Sequence, residues 1–401
     1  MSEPAQPNRI LIASEVRFWR ADSGAAMRIG ALCAGLAHAG FEVAVFYPGH
    51  MGPADRTSLA ASHPGVALYT PSLAGISIRA LRRRLSKGNG LAESSLPLPL
   101  RRPWVRERRA AFERILRVFR PDAVIVEYAY LSYLVERADA WPLPRPRPRL
   151  LLDTHDVLSL RAARFRAQGR KPEPDITHEE ERAALMRYDT LLAIQEDEAA
   201  ALRALCPERN VIVAAHPAEL KPLPPRQGAG VRLLFAGGPA VHNLHALQWF
   251  LEQVWPQARA ANPQLELWVA GAVCAGLPAG SPEGLRILGR IDDLEAAYAD
   301  TDIAINPIRM GSGLKIKNIE ALGYGRPLIT TTIGAEGMGP GAGTAYVVAD
   351  TPEEWLGALA ALAGNAEARD AKGTSAAAYA AERFSESAAF AALIAYLRLP
   401  G

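Results

Sequence analysis

Cysteine is scarce in this chain of 401 residues: Cys33, Cys206 and Cys274 are odd in number and far apart. Neither a disulfide framework nor a paired-thiol metal motif can be built from them. No apolar run approaches the ~20 residues that a bilayer-spanning helix needs. The opening MSEPAQPNR is polar and lacks the apolar core of a secretory signal, so a cytoplasmic location is expected. The first strand-like stretch and the residues after it, RILIASEVRFWRADSG, contain no Gly-x-Gly-x-x-Gly, which argues against an NAD-dependent dehydrogenase. HEEER at His178 lacks the second histidine of a zinc-protease motif, and His242 and His245 have no evident third ligand. No required metal or other cofactor is expected. Net charge is only +3, which gives no argument for nucleic acid, and none is expected as a partner.

What is present is a normal globular composition, 49% hydrophobic and 22% charged, in a chain long enough for two domains. The charge is unevenly placed. From Arg79 to Arg120 stand thirteen Lys/Arg against three acids, Glu93, Glu107 and Glu113. Apolar residues interleave with them: Ile78, Leu81, Leu85, Trp104, Phe112 and Leu116. Such a segment suits an anionic membrane surface or a phosphorylated acceptor, and equally a solvated helix face.

Short β-rich runs alternate with helical patterns. RILIAS, FEVAVFY, PDAVIVE, RLLLD, TLLAI and VIVAA read as strands, with AAMRIGALCAGLAHAG as the first helix. The stretch 216–230, HPAELKPLPPRQGAG, is rich in Pro and Gly and reads as a linker. The alternation then restarts: VRLLFAGG, LELWVAG, LRILG, DIAINP, RPLITT and AYVVA are strands, and NLHALQWFLEQVWPQARAA is a helix. From Thr351 the chain is Ala-rich and helical, with breaks expected near Gly364 and Gly373. The pattern predicts an α/β protein of two Rossmann-like domains, 1–215 and 231–380, with a C-terminal helix in 381–401 packing back towards the first. Ligands of open α/β sheets bind at the carboxyl ends of strands, so the cleft between the domains is the expected site. WPLPRPRPR, Trp141 to Arg149, reads as a stiff loop before a strand.

GSGLKIKNIEALGYGRP, Gly311 to Pro327, puts Lys315 and Lys317 at the start of a helix. A helix start favours anions, so two cations there are either solvated or completed by an anion that the protein does not carry. Gly311 and Gly313 let the backbone approach a ligand closely. Gly313 and Glu320 are seven residues apart, close to one helix face and ~10 Å apart along its axis. That spacing suits a nucleotide diphosphate, with phosphate near Gly313 and Lys315 and ribose hydroxyls on Glu320. The bland alternative pairs Lys317 with Glu320 and leaves Lys315 solvated. Asp300 and Asp302, just before IAIN, read as strand-edge caps rather than metal ligands.

INPIRMGSGLKIKNIEALGYGRPLITTTIGAEGM resembles the donor-site signature of glycosyltransferase family 4, the glycosyl transferases group 1, whose fold is GT-B. Glu320 matches the second of the family's two glutamates, which implies a ribose contact. Eight residues earlier stands Ser312 where the first glutamate is usual. Arg309, Gly311, Gly313 and Lys315 fit an Arg-x-Gly-x-Gly-x-Lys variant of the family. The resemblance implies a donor site made by Gly24, Asn243, Arg309, Gly311, Ser312, Gly313, Lys315 and Glu320. ADSGAAMRIGALCAGLAHAGFEVAVF resembles the glycine loop and first helix of the family, with Gly24 near the donor phosphate. LLDTHDV resembles the strand end that brings a histidine, here His155, towards the donor sugar, with Asp156 on the acceptor side. RYDTLLAIQEDEAAAL resembles the next strand and helix, with Gln195 for the usual serine. LLFAGGPAVHNLHALQWFLEQVWP resembles the opening of the donor domain, without the basic residue many members carry there.

The resemblance implies a retaining glycosyltransferase of hexosyl type. It would move a sugar from a nucleotide-diphosphate-sugar to a hydroxyl of a glycan or lipid-linked acceptor, in cell-surface polysaccharide or glycoconjugate synthesis. His155, Lys315 and Glu320 are the expected catalytic residues, and the enzyme is expected in the cytoplasm or peripherally on the inner face of the membrane through 79–120. Two other readings stay open: a nucleotide-sugar epimerase of the same fold, and a non-catalytic nucleotide-sugar-binding protein.

Overall fold

The structure is a computed structural model that describes residues 8–21, 23–71, 95–101, 105–141, 147–167, 169–277, 282–291, 294–311 and 313–399. The chain divides into two compact units, Met1–Ala215 together with Phe390–Gly401, and His216–Ala389.

The first unit holds a parallel sheet of β1 (Arg9–Ala13), β2 (Glu42–Phe46), β3 (Ala67–Tyr69), β4 (Ala123–Glu127), β5 (Arg149–Asp153), β6 (Thr190–Ala193) and β7 (Asn210–Val213), in the order β3-β2-β1-β4-β5-β6-β7. Ile10 lies opposite Val43 on one side and Ala123 on the other. β4 and β6 are buried along their whole length. Burial on both faces is why the strands read as unbroken apolar runs rather than alternating ones. Helix Gly24–His38 follows β1, and its first turn is capped by Ser23, whose Oγ accepts the Ala26 N–H at 3.3 Å. The sheet changes direction between β1 and β4, the switch point at which such sheets bind ligands.

The second unit repeats the plan with β8 (Val231–Ala236), β9 (Leu265–Ala270), β10 (Leu285–Gly289), β11 (Ile303–Asn306), β12 (Leu328–Thr330) and β13 (Val347–Val348), ordered β10-β9-β8-β11-β12-β13. Its switch point lies between β8 and β11. Its core gathers Phe235, Phe250, Trp255 and Trp355 around the sheet.

Several elements differ from the sequence reading. The helix expected over 243–261 is two helices, Val241–Gln253 and Trp255–Ala261. Pro256 lacks an N–H and its ring clashes with the carbonyl four residues back, so the chain turns at Val254. Gly373 breaks nothing and lies inside helix Ala366–Phe384. The helical tail breaks at Gly364–Asn365, as expected, and again at Ser385. β3 and helix Pro53–Ser62 are additions to the sequence reading, because neither carries a strong periodicity. The proline-rich stretch from His216 is no loose tether, because it is stitched to the second unit: the Lys221 N–H donates to Gly323 O at 3.1 Å and the Leu223 N–H to Tyr324 O at 3.0 Å. The last helix, Glu386–Arg398, belongs with the first unit from Phe390 on. There Arg149 donates to Tyr396 O and Leu397 O at 2.7 Å each.

Candidate functional site

In the second unit the loop after β11 leads into helix Ile316–Gly323. Gly311 and Gly313 have φ of 113° and 78°, values that glycine alone adopts without strain. A buried amide network fixes this loop from below. Asn306 Nδ2 donates to Asn318 Oδ1 at 2.8 Å, Asn318 Nδ2 donates to Gly334 O at 2.8 Å, and Thr330 Oγ1 donates to Asn306 O at 3.0 Å. The loops after β11 and β12 are therefore tied to the helix that carries the lysines.

Lys315 is the N-cap of that helix and has no side-chain capping bond. Its Nζ donates to Gly313 O and lies 3.9 Å from Glu336 Oε2. Lys317 does not pair with Glu320 as a surface ion pair would. Its Nζ donates to Asn243 Oδ1 at 2.6 Å and sits 4.5 Å from the centre of the Phe235 ring. Asn243 in turn donates from Nδ2 to Gly238 O at 3.2 Å. Burial, with Lys315 adding to it, lowers the Lys317 ammonium to about 7. Burial likewise raises the Glu320 carboxyl to about 7, against the opposing pull of Lys317. Among the described residues Glu320 accepts no hydrogen bond at its carboxylate. Two lysines and one carboxyl thus meet at the carboxyl ends of β8 and β11: Lys315 faces Glu336, while Lys317 and Glu320 are buried with their charges poorly compensated.

Arg309 is exposed, donates to Asp350 O at 3.0 Å and lies over the Trp249 ring at 4.4 Å. Gly24 opens helix Gly24–His38 in the first unit. Ser312 lies outside the described residues.

In the first unit β4, β5 and the helix after β1 bring four ionisable side chains together. Arg28 clamps Asp153 with two bonds, Nε to Oδ2 at 2.9 Å and Nη2 to Oδ1 at 2.8 Å, and both side chains are buried. His155 Nε2 lies 2.6 Å from Glu127 Oε2, with the imidazole only 6% exposed. Burial raises the Glu127 carboxyl, and Asp153 raises it further. The His155 ring is therefore packed against Glu127 and almost wholly buried. Its backbone is in the left-handed region, with φ 58°. Asp156 pairs with Arg161 at 2.9 Å. Glu127, Asp153 and His155 have their ligand atoms within 4.8 Å of one another, as a metal site would require. Arg28, however, already takes both oxygens of Asp153 and puts a fixed positive charge where a cation would sit.

Sequence reasoning missed Arg28 and Glu127 altogether. Their partners lie far off in sequence, and only a strand-end position hinted at Glu127. The basic segment divides. Arg79, Arg82, Arg83, Arg84, Lys87 and Arg102, with Ile78, Leu81, Leu85 and Trp104, lie outside the described residues. Arg109 is not available to a surface: it is buried and bound to Glu136 at 2.6 Å and Tyr133 O at 3.1 Å. Arg106, Arg114, Arg117 and Arg120 are exposed along helix Val105–Phe119 and just beyond it, beside Val118. Among the described residues no helix is long and apolar enough to cross a membrane.

A pair of Rossmann-type units, each with polar groups at its strand ends, defines the GT-B class. The chain resembles TarM with a TM-score of 0.72 at 9% identity, covering 99% of this chain and all (100%) of that one. It also resembles a sucrose-phosphate synthase from Thermosynechococcus elongatus, with a TM-score of 0.67 at 14% identity, covering 97% and 98% of the two chains. For Anabaena HepE in complex with UDP and glucose the TM-score is 0.64 at 14% identity, with 97% and 98% covered. Residues 23–218 match the glycosyl transferase 4-like domain, and residues 230–365 match glycosyl transferases group 1. The chain belongs to the group 1 glycosyltransferases. It is also 30% identical over 129 residues to a Klebsiella pneumoniae protein named "Uncharacterized 44.6 kDa protein in cps region". That match spans 29% of this chain and about a third (33%) of the relative.

Proposed function

We propose that this chain is a retaining, hexosyl-type glycosyltransferase that takes a nucleotide-diphosphate-sugar and glycosylates a hydroxyl of a glycan or lipid-linked acceptor. The observation that carries the donor reading is the Lys315–Lys317–Glu320 constellation. A buried Lys317 held by a neutral amide, and a Glu320 carboxylate that accepts no hydrogen bond among the described residues, suit a diphosphate and a ribose as partners, with Lys315 beside them. Membership of group 1 supports retention of configuration. In that mechanism the departing diphosphate takes the acceptor proton, so stabilising the phosphates matters more than a dedicated base. Lys315 and Lys317 supply positive charge, Asn243 fixes Lys317, and the glycine loop supplies backbone N–H groups. No required metal is part of this reading.

The relative in a cps region supports a role in cell-surface polysaccharide synthesis. A cytoplasmic enzyme resting on an anionic membrane through 79–120 is consistent with the exposed arginines beside Val118. Sedimentation with anionic vesicles tests that part, and binding independent of anionic lipid would remove it.

The donor reading is tested by calorimetric titration of UDP, GDP, ADP and dTDP into the wild type and Glu320→Ala. One diphosphate is expected to bind, and the variant to bind it roughly tenfold more weakly or worse. Absence of binding by all four would sink the reading. With the matching nucleotide-sugar, slow release of diphosphate distinguishes a transferase from a binding protein, and an epimerised donor would mark an epimerase.

A further inference from the structure

The helix that carries Lys317 and Glu320, Ile316–Gly323, meets charge of the disfavoured sign at both ends. The lysines stand at its start. At its finish stands Glu219, a carboxylate where the partial charge of a helix favours cations. Glu219 belongs to the proline-rich stretch, and its contacts lead back to the donor site.

The stretch closes the C-terminal end of the helix. The Lys221 and Leu223 N–H groups donate to Gly323 O and Tyr324 O, carbonyls of the kind that a helix end leaves unpaired. The approach is close: a Cβ at Gly323 would lie 2.2 Å from Glu219 O. Tyr324 Oη donates to Glu219 Oε2 at 2.8 Å. The Tyr324 ring stacks on that of Tyr298, with centroids 4.9 Å apart and planes 27° apart. Tyr298 Oη donates to Lys317 O at 3.2 Å. Arg326, only 3% exposed, ties the same parts together: its Nε donates to Tyr298 O at 2.8 Å and its Nη2 to Pro224 O at 2.9 Å. Contacts thus run from Glu219 through both tyrosines to the backbone of Lys317.

Packing does not require the charge of Glu219. Its side chain is exposed, and a neutral amide oxygen would accept the Tyr324 hydroxyl as well. The charge acts on Glu320. Facing the Glu320 carboxyl are Lys317 on its own helix, Glu219 on the stretch, Tyr324 at the helix end and Tyr298 on helix Leu294–Ala299. Burial pushes both phenols up, so they stay neutral. Glu295, on the same helix as Tyr298, is paired with Lys221 at 2.6 Å. Burial raises Glu320 to about 7, Lys317 opposes that rise and Glu219 adds to it. Ribose hydroxyls bond an ionised carboxylate more strongly than a neutral one. A charge that resists ionisation of Glu320 therefore weakens the hold on ribose in acid and leaves it unchanged in base.

We propose that Glu219 is a positioning residue of the donor site: seated by Tyr324 against the end of the lysine-bearing helix, its carboxylate opposes negative charge on Glu320 and makes nucleotide binding sensitive to acid. The inference rests on the donor reading above and adds a regulation of that same site.

The test uses the full chain and whichever of UDP, GDP, ADP and dTDP it binds. Glu219→Gln keeps the acceptor for Tyr324, so its melting temperature should hold. At pH 6 the wild-type Glu320 is mostly protonated, and loss of the neighbouring charge lets it ionise at lower pH. The variant should therefore bind roughly two- to threefold more tightly than the wild type at pH 6, the scale of a screened charge pair. At pH 8 Glu320 is ionised in both proteins, and their affinities should agree. The ratio of the two cancels the titration of the ligand itself. In a Glu320→Gln background the gain at pH 6 should vanish. The unliganded protein gives a second readout that involves no nucleotide. The carbon-13 titration of the Glu320 carboxyl, assigned by its loss in Glu320→Gln, should move to lower pH in Glu219→Gln. If Glu219→Gln melts early, Tyr324→Phe, which releases the carboxylate to solvent, decides on the same titration. A gain equal at both pH values, or one that survives Glu320→Gln, would make Glu219 merely structural and overturn the proposal. An unmoved titration would overturn it whatever the nucleotides do. A moved titration in a protein that binds none of the four would overturn the donor reading instead.

Discussion

Lys317 sits where a helix start disfavours a cation, and burial beside Lys315 disfavours it again, which is why its ammonium is lowered to about 7. An anion bound there reverses both effects and returns Lys317 towards its ordinary range. At pH 8 the unliganded Lys317 is largely neutral and the liganded one is charged, so diphosphate binding should take up a proton, and affinity should fall as pH rises above about 7. Glu320, raised to about 7, is mostly ionised at pH 8 and should add little to this uptake. Calorimetry at pH 8 in buffers of different ionisation enthalpy measures the proton, and Lys317→Met should abolish it. An equal uptake in that variant would assign the proton to another group. Lys315 is legible as a site residue because it lies in the glycine loop. The contact of Lys317 with Asn243 is not legible, because Asn243 is 74 residues away in the chain.

At the scale of elements, local signals place most strands and helix starts, and the misreadings have particular causes. Pro256 splits a helix that periodicity alone joins. Gly373 looks like a helix breaker because a lone glycine weakens a helix by roughly 1 kcal/mol. Its reason is packing: a Cβ at Gly373 would lie 2.5 Å from Gly325 O. That contact presses helix Ala366–Phe384 against the turn that ends the lysine-bearing helix. Gly373→Ala should therefore destabilise the second unit by about 1–3 kcal/mol, although alanine is the better helix former. Urea unfolding measures this, and a stabilised variant would show that the contact relaxes freely. β3 is hard to read because a strand of three residues is too short to show a period.

For the whole molecule, the return of the chain to the first unit is the consequential feature. Leu393 and Leu397 are fully buried. Asn8 Nδ2 donates to Leu397 O at 3.1 Å, and Arg149 donates to Tyr396 O and Leu397 O. Each buried leucine contributes about 2 kcal/mol, a large share of a domain's ~5–15 kcal/mol. A chain ending at Ala389 should keep the second unit folded and lose cooperative unfolding of the first. Limited proteolysis with fragment mass analysis reads this, and protection of both units in the shortened chain would contradict it.

The sequence by itself determined the α/β class, the tandem repetition of parallel sheets, the position of the glycine loop and the roles open to Lys315 and Glu320. These rest on short-range patterns: apolar runs for strands buried on both faces, glycines at strand ends, and helical spacing between phosphate and ribose contacts. Tertiary structure alone decided that His155 faces Glu127, that Asp153 belongs to Arg28 and that Arg109 is buried. Each of these depends on which strand ends meet across the sheet and on how much water the packing excludes, and no local pattern carries that information.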